Sequence, residues 1–309
     1  MSSEDIKILI GNIEKVIVGK TETIKLLLVG LLTNGHILIE DVPGLGKTML
    51  TLALAKSISG DFKRIQFTPD LLPSDVTGGF VYSAKTGEFD FRRGPVFTNL
   101  LLADEINRTT PRTQSALLEC MQEYKVTVEG KNFSLGRPFL VVATQNPIEY
   151  QGTYPLPEAQ IDRFLMKIEV GYLTVQDEIR VIKEQKVKHP IEDLGPVMDL
   201  ERVLALQEEV KKIDVSPNVL EYIAQLVSAT REKKEDIRLG ASPRASISLM
   251  KASCAWAFLE GRDFVIPEDV VKLAIWVLKH RLILQPRLAI TGKTPENVVA
   301  ELIKTTPIP

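Results

Sequence analysis

One short stretch constrains this chain more than any other. Residues 36–40 form an apolar run, Pro43-Gly44-Leu45-Gly46 a glycine-rich turn, and residues 47–57 a helical pattern that opens with Lys47-Thr48. Strand, turn and helix in succession are the context that a phosphate-binding loop requires. The glycines let the backbone curl so that successive N–H groups point at phosphate oxygens. The helix N-terminus adds the positive end of its dipole. Lys47 is then placed to reach β- and γ-phosphates, and the Thr48 hydroxyl to ligate Mg²⁺. The pattern G-x-x-x-x-G-K-[ST] has glycine where this chain has Asp41. A carboxylate aimed inward would repel phosphate, so Asp41 is expected to point away. The competing reading, a glycine-rich turn that holds nothing, explains neither the flanking strand nor the helix.

The alternation continues through the first half. Residues 63–68 alternate like a strand, and residues 99–103, 138–144 and 164–170 read as buried, largely apolar strands between helices. Such continuous apolar runs predict a five-stranded parallel sheet covered on both faces. Two stretches break the rhythm. Phe80 and Tyr82 face Phe89 and Phe91 across Lys85-Thr86-Gly87, and Val126 and Val128 face Phe133 and Leu135 across Glu129-Gly130-Lys131-Asn132. Both predict β-hairpins inserted into connections.

Beyond about residue 174 the strand patterns stop. Thr174 with Asp177 predicts a capping box that opens a helix toward residue 188. Residues 190–196 read as a boundary loop, and a helix is expected over 200–213. Ser216-Pro217 and Ser242-Pro243 each place an N-cap before a proline at the first helical position. Trp256 and Phe258 read as core. The expected organisation is an α/β nucleotide-binding core over 1–190 and a smaller all-α domain over 191–309.

Composition removes several classes. Thirty-eight basic and 40 acidic residues leave a net charge of −2, which argues against coating nucleic acid by bulk charge. Hydrophobic residues at 44% suffice for a real core. No apolar stretch approaches the roughly 18 residues of a membrane span. The chain starts Met-Ser-Ser-Glu-Asp, without the basic start of a secretory signal. Cys120 and Cys254 are far apart, and the three histidines lack metal-ligand spacing. The expectation is a cytoplasmic protein with neither a disulfide framework nor a cysteine zinc site.

A second anchor lies at Leu100-Leu101-Leu102-Ala103-Asp104-Glu105, an apolar strand ending in two acids. Asp104 suits the Mg²⁺ shell, and Glu105 suits orienting and deprotonating an attacking water. Alone, the pair reads equally well as an acidic turn. Beside Lys47 it reads as chemistry.

Together these motifs resemble AAA+ ATPases, and more narrowly the MoxR family. The resemblance is carried by Val16-Ile17-Val18-Gly19, Val42-Pro43-Gly44-Leu45-Gly46-Lys47-Thr48, Asp104-Glu105-Ile106-Asn107-Arg108, Ala143-Thr144-Gln145-Asn146-Pro147, Leu156-Pro157-Glu158-Ala159-Gln160-Ile161-Asp162-Arg163-Phe164 and Ser242-Pro243-Arg244. The phosphate-binding turn is shared by many nucleotidases, and the Glu158–Phe164 stretch is far more specific. The two hairpins also fit this branch of the AAA+ proteins.

The resemblance implies an AAA+ core with a helical lid, using ATP and Mg²⁺. It assigns Ile17, Val18 and Gly19 to the adenine wall, and Pro43 through Met49 to the phosphates. It assigns Asn146 to the sensor-1 position, Arg163 to an arginine finger acting on a neighbouring subunit, and Arg244 to sensor 2. An ion pair with Asp162 or Glu158 is the plainer reading of Arg163. Arg244 at the second helical position opposes the helix dipole, which points to a compensating anion. Arg108 reads equally as a second trans arginine or as a loop salt bridge. The resemblance further implies a ring, most simply a hexamer, whose lid moves against the core. The hairpins at 78–92 and 126–135 would carry that motion to a client protein. A von Willebrand A domain partner follows from the resemblance alone. Two other readings stand beside this chaperone-type remodelling ATPase. A nucleic-acid motor is disfavoured because hairpin 126–135 has only Lys131 as a basic residue, opposed by Glu129. A nucleotide-gated scaffold needs neither Glu105 nor Arg163.

Overall fold

The computed structural model describes residues 2–85, 87–147, 153–186 and 188–308. Helices α1 (Ser2–Glu14) and α2 (Thr21–Leu32) precede β1 (Ile37–Glu40), and α3 (Lys47–Ser57) follows it. Strand β2 (Phe62–Gln66) leads through the short helix α4 (Pro73–Thr77) into the hairpin of β3 (Gly78–Ser83) and β4 (Glu88–Arg93). Next come β5 (Leu100–Asp104), α5 (Pro111–Glu123) and a second hairpin of β6 (Lys125–Val128) and β7 (Lys131–Ser134). Strand β8 (Leu140–Gln145), the one-turn helix α6 (Glu158–Ile161) and β9 (Met166–Ile168) close the α/β part.

Five of these strands form one sheet in the order β2-β5-β8-β1-β9, all parallel, as the apolar runs predict. Alternate residues serve opposite faces. Ile37, Ile39, Leu100, Leu102, Leu140 and Val142 join the core beneath α1–α3. Leu38, Leu101, Ala103, Val141 and Ala143 join a second core under α5 and the hairpins. Around β1, β5 and β8 both faces are therefore dry, which is why those strands read as unbroken apolar runs, while edge strand β2 exposes Lys63, Arg64 and Gln66.

The hairpins form where expected, with Phe80 opposite Phe91, Tyr82 opposite Phe89 and Val126 opposite Phe133, while Val128 faces Lys131 and Leu135 lies beyond β7. Thr86, in the first expected turn, lies outside the described residues. The hairpins also pack on each other. The Phe91 and Phe133 rings stack with centroids 3.8 Å apart, and Phe80 and Phe97 pack edgewise around them.

The C-terminal part contains α7 (Val175–Glu184), α8 (Leu200–Val210), α9 (Pro217–Glu232), β10 (Ile237–Leu239), α10 (Pro243–Leu259), α11 (Pro267–Leu278), β11 (Ile283–Leu284), α12 (Pro286–Ile290) and α13 (Pro295–Thr305). Thr174 caps α7 as expected, accepting from the Asp177 N–H. The helix ends at Glu184, short of residue 188, among exposed charged residues. A small antiparallel ribbon of β10 and β11 interrupts the helices. Two or three residues per strand are too few to show a period in sequence. Trp256 and Phe258 are buried, as are the free thiols of Cys120 and Cys254.

The helical part shares its core with α1–α3 rather than standing apart from it. The buried Gln207 amide donates to the Leu31 carbonyl at 2.6 Å. Lys25–Glu260 and Glu22–Lys272 ion pairs rim the same seam. No helix among the described residues is long and apolar enough to cross a membrane.

Candidate nucleotide site

Gly44 and Gly46 take φ of 88° and 84°, in the left-handed region, and the space above both is open. A side chain there would fit the space but not the backbone. Gly46 is the N-cap of α3, so the first N–H groups of the helix, beginning at Lys47, face outward beside the turn. Asp41 points away, as electrostatics requires. Its carboxylate accepts from the backbone N–H groups of Val42 at 2.9 Å, Val170 at 2.9 Å and Gly171 at 2.8 Å. The residue that stands in place of glycine thus ties the turn to the segment after β9.

The Lys47 ammonium donates to the Asp41 carbonyl at 2.7 Å. Burial pushes it below its usual range, while the charges of Asp41, Asp104 and Glu105 pull the other way. Those acids lie at the carboxyl end of β5, separated from β1 only by β8. Asp104 Oδ1 accepts from the Thr144 hydroxyl at 2.6 Å, and the same hydroxyl accepts from the Glu105 N–H at 2.9 Å. Glu105 has φ 57°, a strained value for a non-glycine residue, which turns its side chain off the strand end. Its Oε2 accepts from the Gln66 amide at 2.7 Å and pairs with Arg108 Nε at 3.0 Å. Arg108 thus makes the loop salt bridge. Asn146 follows β8 directly and is buried. The bond from the Asp41 N–H to the Gln145 carbonyl, at 3.3 Å, sets it beside the mouth of the turn.

Beside the turn lies a cavity of about 490 Å³. Its walls are Val16, Ile17 and Val18, then Gly44, Leu45, Gly46 and Met49, and residues 170–173, with Glu178 and Val181 of α7 and Gln185 just after it as a roof. This is apolar wall with backbone polar edges, which suits a purine. Gly19 is not part of the lining. Its φ is 69°, and an added Cβ would meet Asp177 Oδ2 at 2.5 Å, so Gly19 is the point where α7 approaches the chain. The donors fit the groups the sequence implies. Mg²⁺ takes few protein ligands and keeps phosphate and water oxygens. The Thr48 hydroxyl and the Asp104 carboxylate are a donor set of that kind.

Arg163 and Arg244 stand elsewhere. Both line a separate cavity of about 310 Å³ with His36, Tyr124 and Lys251. His36 precedes β1 and Arg163 precedes β9, so this cavity lies at the opposite end of the parallel strands from Lys47. Four residues of strand put the two ends on the order of 13 Å apart. Arg163 pairs with neither Asp162 nor Glu158. Asp162 is engaged by Arg281 at 2.8 Å and Arg244 at 4.0 Å, and Arg163 has no ion-pair partner among the described residues. The Ser242 side chain does not cap α10 but donates to Asp162 Oδ2 at 3.0 Å. The anion that Arg244 was expected to need is in part Asp162.

Four contributors escaped the sequence reading. Arg64, bound to Asp104 at 2.6 Å, and Gln66 alternate on one face of β2, in register with β5. Their period-two spacing beside the acidic strand was a usable signal. The α7 roof and Arg281 offered none.

Several known proteins are similar to this chain. Residues 36–166 match the family described as ATPase family associated with various cellular activities (AAA), and residues 228–302 match an AAA lid domain. The chain is 52% identical to an uncharacterised protein, YeaC, of Bacillus subtilis, over 99% of this chain and 97% of that protein. It is 42% identical to Chaperone MoxR1 of Mycobacterium tuberculosis, over 97% of this chain and 81% of the relative. The crystal structure of a candidate ATPase from Cytophaga hutchinsonii superposes with a TM-score of 0.93 at 42% identity, covering 100% of this chain and 96% of the other.

Proposed function

The chain belongs to the MoxR family of AAA+ ATPases, and from that membership we propose that it hydrolyses ATP with Mg²⁺ in a ring, each site being shared by two copies. The observation that carries this reading is the separation of two half-sites. Lys47, Asp104, Glu105 and Asn146 meet at one end of the sheet, while Arg163 and Arg244 share a cavity at the other. A complete site then needs the first end of one copy and the second end of the next. Repeating such a head-to-tail contact closes a ring, and we take six copies as the working number.

In this scheme the turn's N–H groups and Lys47 hold the phosphates, and Thr48 and Asp104 hold Mg²⁺. When bound, Mg²⁺ would offset the charge on the phosphates. Asn146 orients the attacking water and Glu105 takes its proton. The neighbour's Arg163 and Arg244 meet the charge that develops on the transferring phosphoryl oxygens. The division into a core over 1–190 and a lid over 191–309, a cytoplasmic location and a von Willebrand A domain partner belong to the same proposal. So does chaperone-type work on client proteins through the paired hairpins. Exposed Val81, Tyr82 and Phe89 on the first hairpin support that last point.

The test is ATP turnover against protein concentration for the parent and for Arg163→Ala. Activity should rise more steeply than concentration in the parent. It should fall on the order of 10³-fold in the variant. Strictly proportional activity that ignores Arg163 would overturn the shared site.

A further inference from the structure

The densest polar junction in the described residues lies outside the nucleotide site. Arg281 sits in the turn after α11, with its side chain 1% exposed. Its Nε donates to Asp162 Oδ1 at 2.8 Å. Its Nη2 donates to the carbonyls of Phe164 at 2.6 Å and Asp162 at 3.2 Å, and its Nη1 to the Leu165 carbonyl at 3.1 Å. The backbone on both sides of Arg163 is therefore held by one guanidinium. The same group reaches the Ser248 hydroxyl on α10 at 3.3 Å and the Val277 carbonyl on α11. Asp162 completes the junction. Its second oxygen takes the Ser242 hydroxyl at the start of α10 and lies 4.0 Å from Arg244.

We propose that Arg281 is a positioning residue that, through Asp162, holds Arg163 and Arg244 as one rigid unit for use on the neighbouring copy's nucleotide. The inference rests on the shared-site reading above. Stability alone does not call for this arrangement. A buried ion pair is costly to desolvate, and apolar residues of similar volume commonly hold a fold as well or better. What a guanidinium supplies and an apolar group cannot is direction. Its donors are fixed in a plane and grip carbonyls and a carboxylate at set angles. That property is needed where a neighbouring side chain must meet a phosphoryl group within a fraction of an ångström. Misplacement by about 1 Å can cost on the order of 10²-fold in rate. Arg163 itself stays unpaired among the described residues, so its backbone is fixed while its head is left for a ligand.

The experiment uses the full-length chain with Arg281→Lys, which keeps the charge and loses the fork. Asp162→Asn keeps the volume and weakens the grip, and it carries the same test should Arg281→Lys fail to fold. Each variant should bind MgATP within about twofold of the parent and turn over on the order of 10–10² times more slowly. Mixing either variant with Lys47→Ala subunits should restore turnover. The Lys47→Ala subunit offers an intact arginine pair to the variant's intact phosphate end, and a merely destabilised fold would gain nothing from it. Turnover at the parent rate would overturn the proposal. So would a loss that mixing fails to restore while an Arg163→Ala and Lys47→Ala mixture is restored. If neither mixture recovers, the shared site itself falls and this inference with it.

Discussion

The two ends of the central sheet are built by opposite means. At the carboxyl end the nucleotide cavity is roofed by α7, a ten-residue helix of which no residue is buried. Val175, Ile179 and Ile182 stand exposed along one side of it. At the amino end a buried guanidinium grips three segments at once, and the buried His36 ring is bonded on both sides, to the Met121 carbonyl at 2.9 Å and from the Val141 N–H at 3.0 Å. Few buried contacts mean a low cost of local opening. In the shared-site proposal, the end that would admit and release nucleotide is loosely covered, and the end that would serve a neighbour is locked. This also bears on the expected lid motion. The helical part shares an apolar core with α1–α3, and a large dry interface resists rigid-body movement, which points to α7 rather than the whole C-terminal part as the mobile element.

The largest expected effect lies at the carboxyl end. Glu105→Gln should leave ATP binding intact and slow single-turnover hydrolysis on the order of 10²–10⁴-fold. A variant that hydrolyses at the parent rate would move the proton acceptor elsewhere and break the division of labour between the two ends.

A stability effect should sit at the amino end. Burial lowers the His36 imidazole to about 4 from the usual 6.5. Between those values the unfolded chain binds a proton that the folded ring refuses. The stability contributed above pH 6.5 is therefore lost as pH falls toward 4. Between pH 7.5 and 5 the loss from this one group should be about 2 kcal/mol. Urea unfolding at the two pH values measures it. His36→Gln should lower stability overall but flatten the slope by that amount, and an unchanged slope would assign the titration to another group, His280 beside the Phe164 carbonyl being the next, since burial lowers it too.

Much of this was legible in sequence because it depends on short-range pattern. The turn from Gly44 to Thr48 needs glycine φ values and a helix start. The acids at the end of β5 interrupt an apolar run, and Ser242-Pro243 marks a helix start by its own chemistry. What sequence did not carry is contact across long separations. Arg281 lies well over 100 residues from the Asp162, Phe164 and Leu165 carbonyls it binds, and nothing in its neighbourhood distinguishes it from a solvated arginine. Gly19 was assigned to the adenine wall, yet it answers to the close approach of Asp177. Ser242 was expected to cap its own helix, and tertiary structure gave its hydroxyl to Asp162 instead. In each case the residue type was informative and the partner was not.

Asp41 gives the smallest effect and the sharpest test of the contrast, because it is a firm clamp at the loose end. Its carboxylate holds the N–H groups of Val170 and Gly171, which begin the cavity wall leading into α7. In Asp41→Asn one oxygen becomes an amide that cannot accept, and the remaining bonds lose their charge. Hydrogen bonds to a charged group are worth about 1.5–3 kcal/mol, so losing part of that set should loosen the wall by on the order of tenfold in affinity. The expected result is a KM for ATP raised roughly tenfold with kcat within about threefold of the parent, because the carboxylate faces away from the phosphates. The opposite split, kcat reduced at constant KM, would mean that Asp41 acts through Lys47, whose ammonium rests on the Asp41 carbonyl. The carboxyl end would then carry a lock of its own, set on the chemistry rather than on the adenine wall.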